Sequence, residues 1–231
     1  MGFDRIRIKE NAKTHYDLNK WNNVLVAFIS SIIMGAGSGI TSSISNFSSD
    51  SDDSTGLVIT IYIVNIVVSI FVTNIMAMGT ATWYQKAIHR DNLDMGAMFD
   101  PFRVNYMDNV LAMFLKNLYI GLWSLLFIIP GIVKGYAYSM TEFIKAENPN
   151  IPASKAIDMS NRMTQGRKGD LFMLDLSFFG WFMLSSFTCG ILMIVYVGPY
   201  YYAAKAFAYE EIKAEAIASG KVSEYDFQVL G

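Results

Sequence analysis

The chain has 231 residues, room for one domain, with 53% apolar residues and a formal net charge of −2. That balance gives nucleic acid no electrostatic footing. A single cysteine, Cys189, excludes an internal disulfide framework and a multi-cysteine metal site, and the two histidines, His15 and His89, lie far apart in the sequence.

Charge is segregated along the chain. Residues 1–20 are polar and basic, with no apolar run before Trp21, so no cleavable signal peptide is expected. Ile6, Ile8, Ala12 and Tyr16 are spaced to form a weak apolar face on a short surface helix. A solvated tail fits this segment as well. Residues 21–40 then carry no charge over about twenty positions, the length a bilayer core needs, with Trp21 as an interfacial anchor. Residues 41–55 are Ser-rich and acidic and read as a loop; Asp50, Asp52 and Asp53 lack the spacing of a calcium loop. The run 56–84 is rich in β-branched residues, but over that unbroken length lipid favours a helix, which pairs its own backbone groups. Asn65 and Asn74 within it are expected to hydrogen-bond to other helices.

Residues 86–108 interleave Met98, Phe99, Phe102 and Tyr106 with Asp and Arg and are expected to lie along the membrane interface. A second hairpin follows. Its first arm covers 109–129, its turn is placed at Pro130-Gly131, and its second arm ends near Glu147. That second arm reads either as a tilted span or as a re-entrant segment. Residues 153–165 form a short amphipathic helix whose small or apolar face is Ala153, Ala156, Ile157, Met159, Ser160 and Met163. The third hairpin is 171–187 and 190–209, turning at Thr188-Cys189-Gly190, with Pro199 predicting a kink in its last arm. The domain outline is therefore 1–20, a helical membrane unit over 21–212, and a tail over 213–231.

All but three of the 18 Lys and Arg residues lie in the N-terminal segment, in 86–108, in 145–170 and in the tail. The positive-inside rule makes those four segments cytoplasmic, with both termini inside, if the chain crosses six times in three hairpins. A five-span alternative leaves one basic connector outside. The fold expected is an all-α polytopic bundle in the cell membrane, with short cytoplasmic amphipathic helices and the lipid bilayer as its partner.

The motifs LFIIPGIVKGYAYSM, ENPNIPASKAIDMSNRMTQGRKGDLFMLDLSFFGW, TCGI and GPYYYAAKAFAYEEI resemble a family of uncharacterised bacterial membrane proteins, domain of unknown function 975, found mostly in Gram-positive species. A looser likeness, through IPGI and the helix after it, is to the membrane domain of some glycerophosphodiester phosphodiesterases. It carries no activity across, since the catalytic domain is absent from this sequence.

Charges inside spans are costly and face the bundle interior in pairs. At about 1.5 Å per residue, Lys116, Glu142, Asp175 and Lys205 all fall roughly 7–12 Å in from the cytoplasmic ends of their arms. Lys116–Asp175 with Glu142–Lys205, or the crossed pairing, is expected. Such a layer is either a structural pair of ion bridges or a proton or substrate site. Lys134 is expected to snorkel outward, and the aromatics Trp181, Phe182, Tyr196, Tyr200, Tyr201 and Tyr202 to be packing residues. There is no HExxH, GxSxG or Walker loop, and no serine has an evident base, so no enzymatic activity, metal or cofactor is expected. The first expectation is a structural, accessory or envelope-protective role, which needs no ligand-sized cavity. The alternative is a small transporter or channel with a polar cavity, in a homo-oligomer.

Overall fold

The computed structural model describes residues 3–47, 55–90 and 93–228, with side chains of 36–47, 55, 57 and 58 left aside. Asp50, Asp52 and Asp53 lie outside the described residues. Among the described residues the protein is all helical. The order is α1 (Arg5–Leu18), α2 (Lys20–Phe47), α3 (Thr55–Val68), a π turn (Ser69–Thr73), α4 (Asn74–Ala87), a 3-10 turn (Met95–Phe99), α5 (Asp100–Arg103), α6 (Tyr106–Leu126), α7 (Ile128–Ala137), α8 (Thr141–Glu147), α9 (Ala153–Met163), α10 (Lys168–Leu176), α11 (Phe179–Phe187), a second π turn (Met193–Val197), α12 (Gly198–Ala218) and α13 (Glu224–Phe227). Among the described residues three helical stretches are long and apolar enough to cross a membrane: Ile59–Ala87, Tyr106–Leu126 and Lys168–Phe187.

The molecule has two ends of opposite character. One end is packed like a soluble core. Trp83, Tyr84, Met98, Phe143, Ile144, Met159, Phe178, Tyr209 and Ile212 are buried together there. Toward the other end, large apolar residues of α3, α6, α7 and α11 are bare, among them Ile63, Ile66, Leu122, Ile129 and Leu184. A soluble monomer rarely shows contiguous apolar surface on that scale, whereas lipid covers it at no cost.

Several boundaries differ from those read in the sequence. Helix α2 continues to Phe47 and α3 starts at Thr55, so the helices take up much of the expected loop 41–55. Helix α1 is a packed element: Ile8 and Ala12 are buried in the core with α12, and Tyr16 is buried with its ring against Tyr196 of the second π turn, while Ile6 is exposed. Arg7 donates to Glu211 through Nε (3.0 Å) and Nη2 (2.5 Å), and Tyr16 Oη donates to Val195 O (2.7 Å). The connector 86–108 packs onto the bundle. Met98 and Pro101 are buried against α4, with Lys86 paired to Asp100 at 2.6 Å. Gly79 allows this, since a Cβ there would stand 2.0 Å from Met98 O.

The second hairpin turns at Phe127, three residues before the expected Pro130-Gly131. Phe127 is extended (φ −156°, ψ 142°) and is the only residue between α6 and α7. Pro130 is then the third residue of α7, inside the first turn, where a missing N–H breaks no intrahelical bond. Gly131 is helical and packs so tightly that a Cβ would come 2.1 Å from Ser124 Oγ. The second arm is broken at residues 138–140. Ser160 of α9 bridges the gap, accepting from Met140 N (3.1 Å) and donating to Ala137 O (2.9 Å); Thr164 Oγ1 also donates to Ala137 O (3.2 Å).

Helix α9 buries the six residues expected of it, Ala153, Ala156, Ile157, Met159, Ser160 and Met163, but ends at Met163 rather than 165. The third turn holds at Cys189 (φ 49°) and Gly190 (φ 81°). At Pro199 the interruption takes the form of the π turn just before it, which absorbs the lost backbone bond. Asn74 Oδ1 accepts from Asn117 Nδ2 (3.3 Å) across helices, as expected, whereas Asn65 donates within its own helix to Ile61 O (2.9 Å).

Candidate functional site

The four charged residues singled out in the sequence converge on one cavity of about 530 Å³. Each comes from a different helix. Lys116 is midway along α6, Glu142 is in the first turn of α8, Asp175 is in the last turn of α10, and Lys205 is on α12. The crossed pairing is the one present. Lys116 Nζ lies 3.3 Å from Glu142 Oε2, and Lys205 Nζ lies 2.8 Å from Asp175 Oδ1. The reason is topological: each pair closes across one hairpin, whereas the other pairing would run between hairpins.

Aromatic residues complete the polar wall. Tyr201 sits one turn before Lys205 on α12, and its hydroxyl donates to Asp175 Oδ1 (3.1 Å). The Lys205 ammonium also stands 5.5 Å from the Tyr201 ring and 5.8 Å from the Tyr136 ring, within cation–π range. Ile120, Ile132 and Phe143 supply apolar lining. Gly131 brings α7 against Ser124 and so forms the wall nearest the hairpin tip. Side-chain exposure is 12% and 21% for Lys116 and Glu142, and 11% and 24% for Lys205 and Asp175. All four charged groups are thus screened from bulk solvent yet open to the cavity.

The set offers two ammonium groups and two carboxylates to whatever enters the cavity. Ser139 lines the cavity, but its hydroxyl donates to the carbonyl of Tyr136 (2.9 Å). Among the described residues no group of three or more His, Cys, Asp or Glu side chains is placed to hold a metal. The other expected site positions, Pro130, Gly190 and Pro199, shape hairpins and do not line the cavity. Lys134 lies over Trp123 (5.1 Å) and Tyr138 (5.5 Å) rather than reaching away from the bundle. The aromatic stripe does pack, with Trp181 against Tyr196 at 5.3 Å and Phe178 against Tyr200 at 4.9 Å, while Tyr201 and Tyr202 also reach the cavity.

One important residue was missed in the sequence. Lys145, read there as a connector base, has a fully buried side chain. Its ammonium donates to Asp108 Oδ2 (2.5 Å), Pro149 O (2.7 Å) and Ile151 O (2.8 Å). It pins the 148–152 connection beneath the cavity to the start of α6. Glu142 and Glu147 flank it closely, so nothing in its own run sets it apart.

These features define a helical protein with membrane-length apolar stretches and an open, charged cavity. Residues 125–216 match the model of the family described as protein of unknown function (DUF975), which supports the family assignment made from the motifs. The matched stretch carries Glu142, Asp175 and Lys205. The looser likeness to the phosphodiesterase membrane domain is not shown by these comparisons. No curated protein and no solved structure matches the chain.

Proposed function

We propose that the protein is a multi-pass integral membrane protein, non-enzymatic, which binds a small solute in the charged cavity for transport or presentation. The observation that carries this reading is the convergence of Lys116, Glu142, Asp175 and Lys205 on one cavity of about 530 Å³. Ligand pockets commonly measure about 300–1,000 Å³. A purely structural or envelope-protective role needs no such space.

In this reading the basic segments and both termini are cytoplasmic, and three apolar hairpins enter the bilayer. The second enters and returns without crossing. The support is threefold. Helix α7 has 10 residues, about 15 Å, against a bilayer core of about 30 Å. Asn109, Val110, Ala112 and Met113 at the start of α6 are buried in the bundle, so only its later turns are free for lipid. Leu125, Phe127 and Ile129 at the tip are 86%, 73% and 75% exposed, a surface for lipid tails rather than water.

Single cysteines test both parts. In a Cys189→Ser background, Ser139→Cys reacts with a water-soluble, membrane-impermeant thiol reagent supplied from the cytoplasmic side, and Phe127→Cys reacts from neither side. A Ser139→Cys protein that stays unmodified in the membrane, yet reacts once denatured, ends the cavity reading. Labelling of Phe127→Cys from outside converts the second hairpin into a full crossing.

A further inference from the structure

We infer that the cavity receives a zwitterionic amphiphile: an ammonium and an anionic oxyacid group close together at the end of an apolar body. The inference rests on the cavity reading above and names its ligand class.

The charge balance of the wall selects the net charge. Two ammonium groups and two carboxylates line it, and they are already paired at 3.3 Å and 2.8 Å. A ligand with net charge would leave one charge without a counterpart in a screened, low-dielectric space, which is expensive. A net-neutral dipole leaves none. Its ammonium faces Glu142 or Asp175 and the rings of Tyr136 and Tyr201, which already hold the Lys205 ammonium at 5.8 Å and 5.5 Å. Its oxyacid faces Lys116 or Lys205. Every charge then keeps an opposite neighbour, and the two ion pairs are the closed, ligand-free form of the same array.

The apolar lining selects the body. Ile120, Ile132 and Phe143 line the same cavity. Ile132 is half exposed, and its neighbour Val133 and nearby Ile129 are bare, so the apolar wall continues onto the exposed hairpin. About 530 Å³ accommodates a headgroup and its first few carbons, not a whole phospholipid. A phosphatidylethanolamine-type headgroup with its chains along the hairpin satisfies this; glycerophosphoethanolamine carries the same net-neutral phosphodiester and ammonium without the apolar body.

The test uses the full chain in a neutral maltoside detergent. Added dioleoyl phosphatidylethanolamine raises the apparent Tm in a dose-dependent way; dioleoyl phosphatidylglycerol and a cationic lipid of the same chain length do not. If glycerophosphoethanolamine alone reproduces the shift, the free zwitterionic headgroup suffices; if only the lipid does, the apolar body is required. Ile132→Trp fills the cavity rim without touching either ion pair and abolishes the shift. Asp175→Asn weakens the response at least about tenfold, the loss of one charged contact. Equal shifts from the anionic lipid, no shift from any zwitterion, or a shift that survives Ile132→Trp overturns the inference. A reactive Ser139→Cys alongside any of these leaves the cavity standing and removes only the ligand class.

Discussion

Lys145→Met is expected to destabilise the protein by about 1–3 kcal/mol, the usual cost of leaving a buried acceptor without its donor, since Asp108, with a side chain 35% exposed, keeps some solvent around its charge. The side chain has no solvent-exposed surface, so methionine fills the volume but supplies none of the three bonds. Asp108 loses its counter-ion, though its Oδ1 still accepts from Ala153 N (3.3 Å). Pro149 O keeps the Asn105 amide at 3.1 Å, but Ile151 O is left without its donor. The damage spreads to the cavity, because the freed connection leads into α9, whose Ser160 bridges the break beside Ser139 and Glu142. Thermal melting in detergent reads the loss. Adding Asp108→Leu to Lys145→Met should restore part of the stability, since the orphaned carboxylate is then gone. A variant that melts within a degree of the parent shows that Lys145 anchors nothing.

Gly79→Ala should also destabilise, against the helical preference of alanine. In an exposed helix interior Gly→Ala gains about 1 kcal/mol. At position 79 the new methyl would sit 2.0 Å from Met98 O and 3.1 Å from Met98 C, both backbone atoms that no rotamer change can move. Overpacking of this kind costs about 1–3 kcal/mol and displaces the 3-10 turn that follows the first long hairpin. Gly121→Ala is the control, since nothing lies within 4 Å of a Cβ there. The two substitutions should shift Tm in opposite directions, Gly79→Ala downward and Gly121→Ala upward. The same sign for both would mean that the connector yields freely.

Much of the local structure was readable because it follows from periodicity. Ile8, Ala12 and Tyr16 recur every four residues and are buried, and the α9 face matched at all six positions. The charged layer is readable because Lys and Asp are rare within apolar runs, so their depth can be compared along helices; that the layer encloses a cavity is not. Pairing was left open between two arrangements, because depth along an arm does not say which arms touch. The turn at Phe127 was misplaced because Pro-Gly is a strong turn signal, yet proline is equally at home in the first turn of a helix. The break at 138–140 has no local signal, since Tyr138, Ser139 and Met140 are ordinary helical residues. It is set by Ser160 and Thr164, some twenty residues on. Burial of Lys145 depends likewise on acceptors contributed by two other segments.

The clasp between Arg7 and Glu211 has a consequence for biogenesis. A ribosome emits residue 7 long before residue 211, so the first helix waits with Ile8, Ala12 and Tyr16 uncovered while the helices between them are made. Only once α12 has been made can it shelter them, so closure of this end waits on residues some two hundred positions downstream, and chains cut short before α12 keep an open apolar flank.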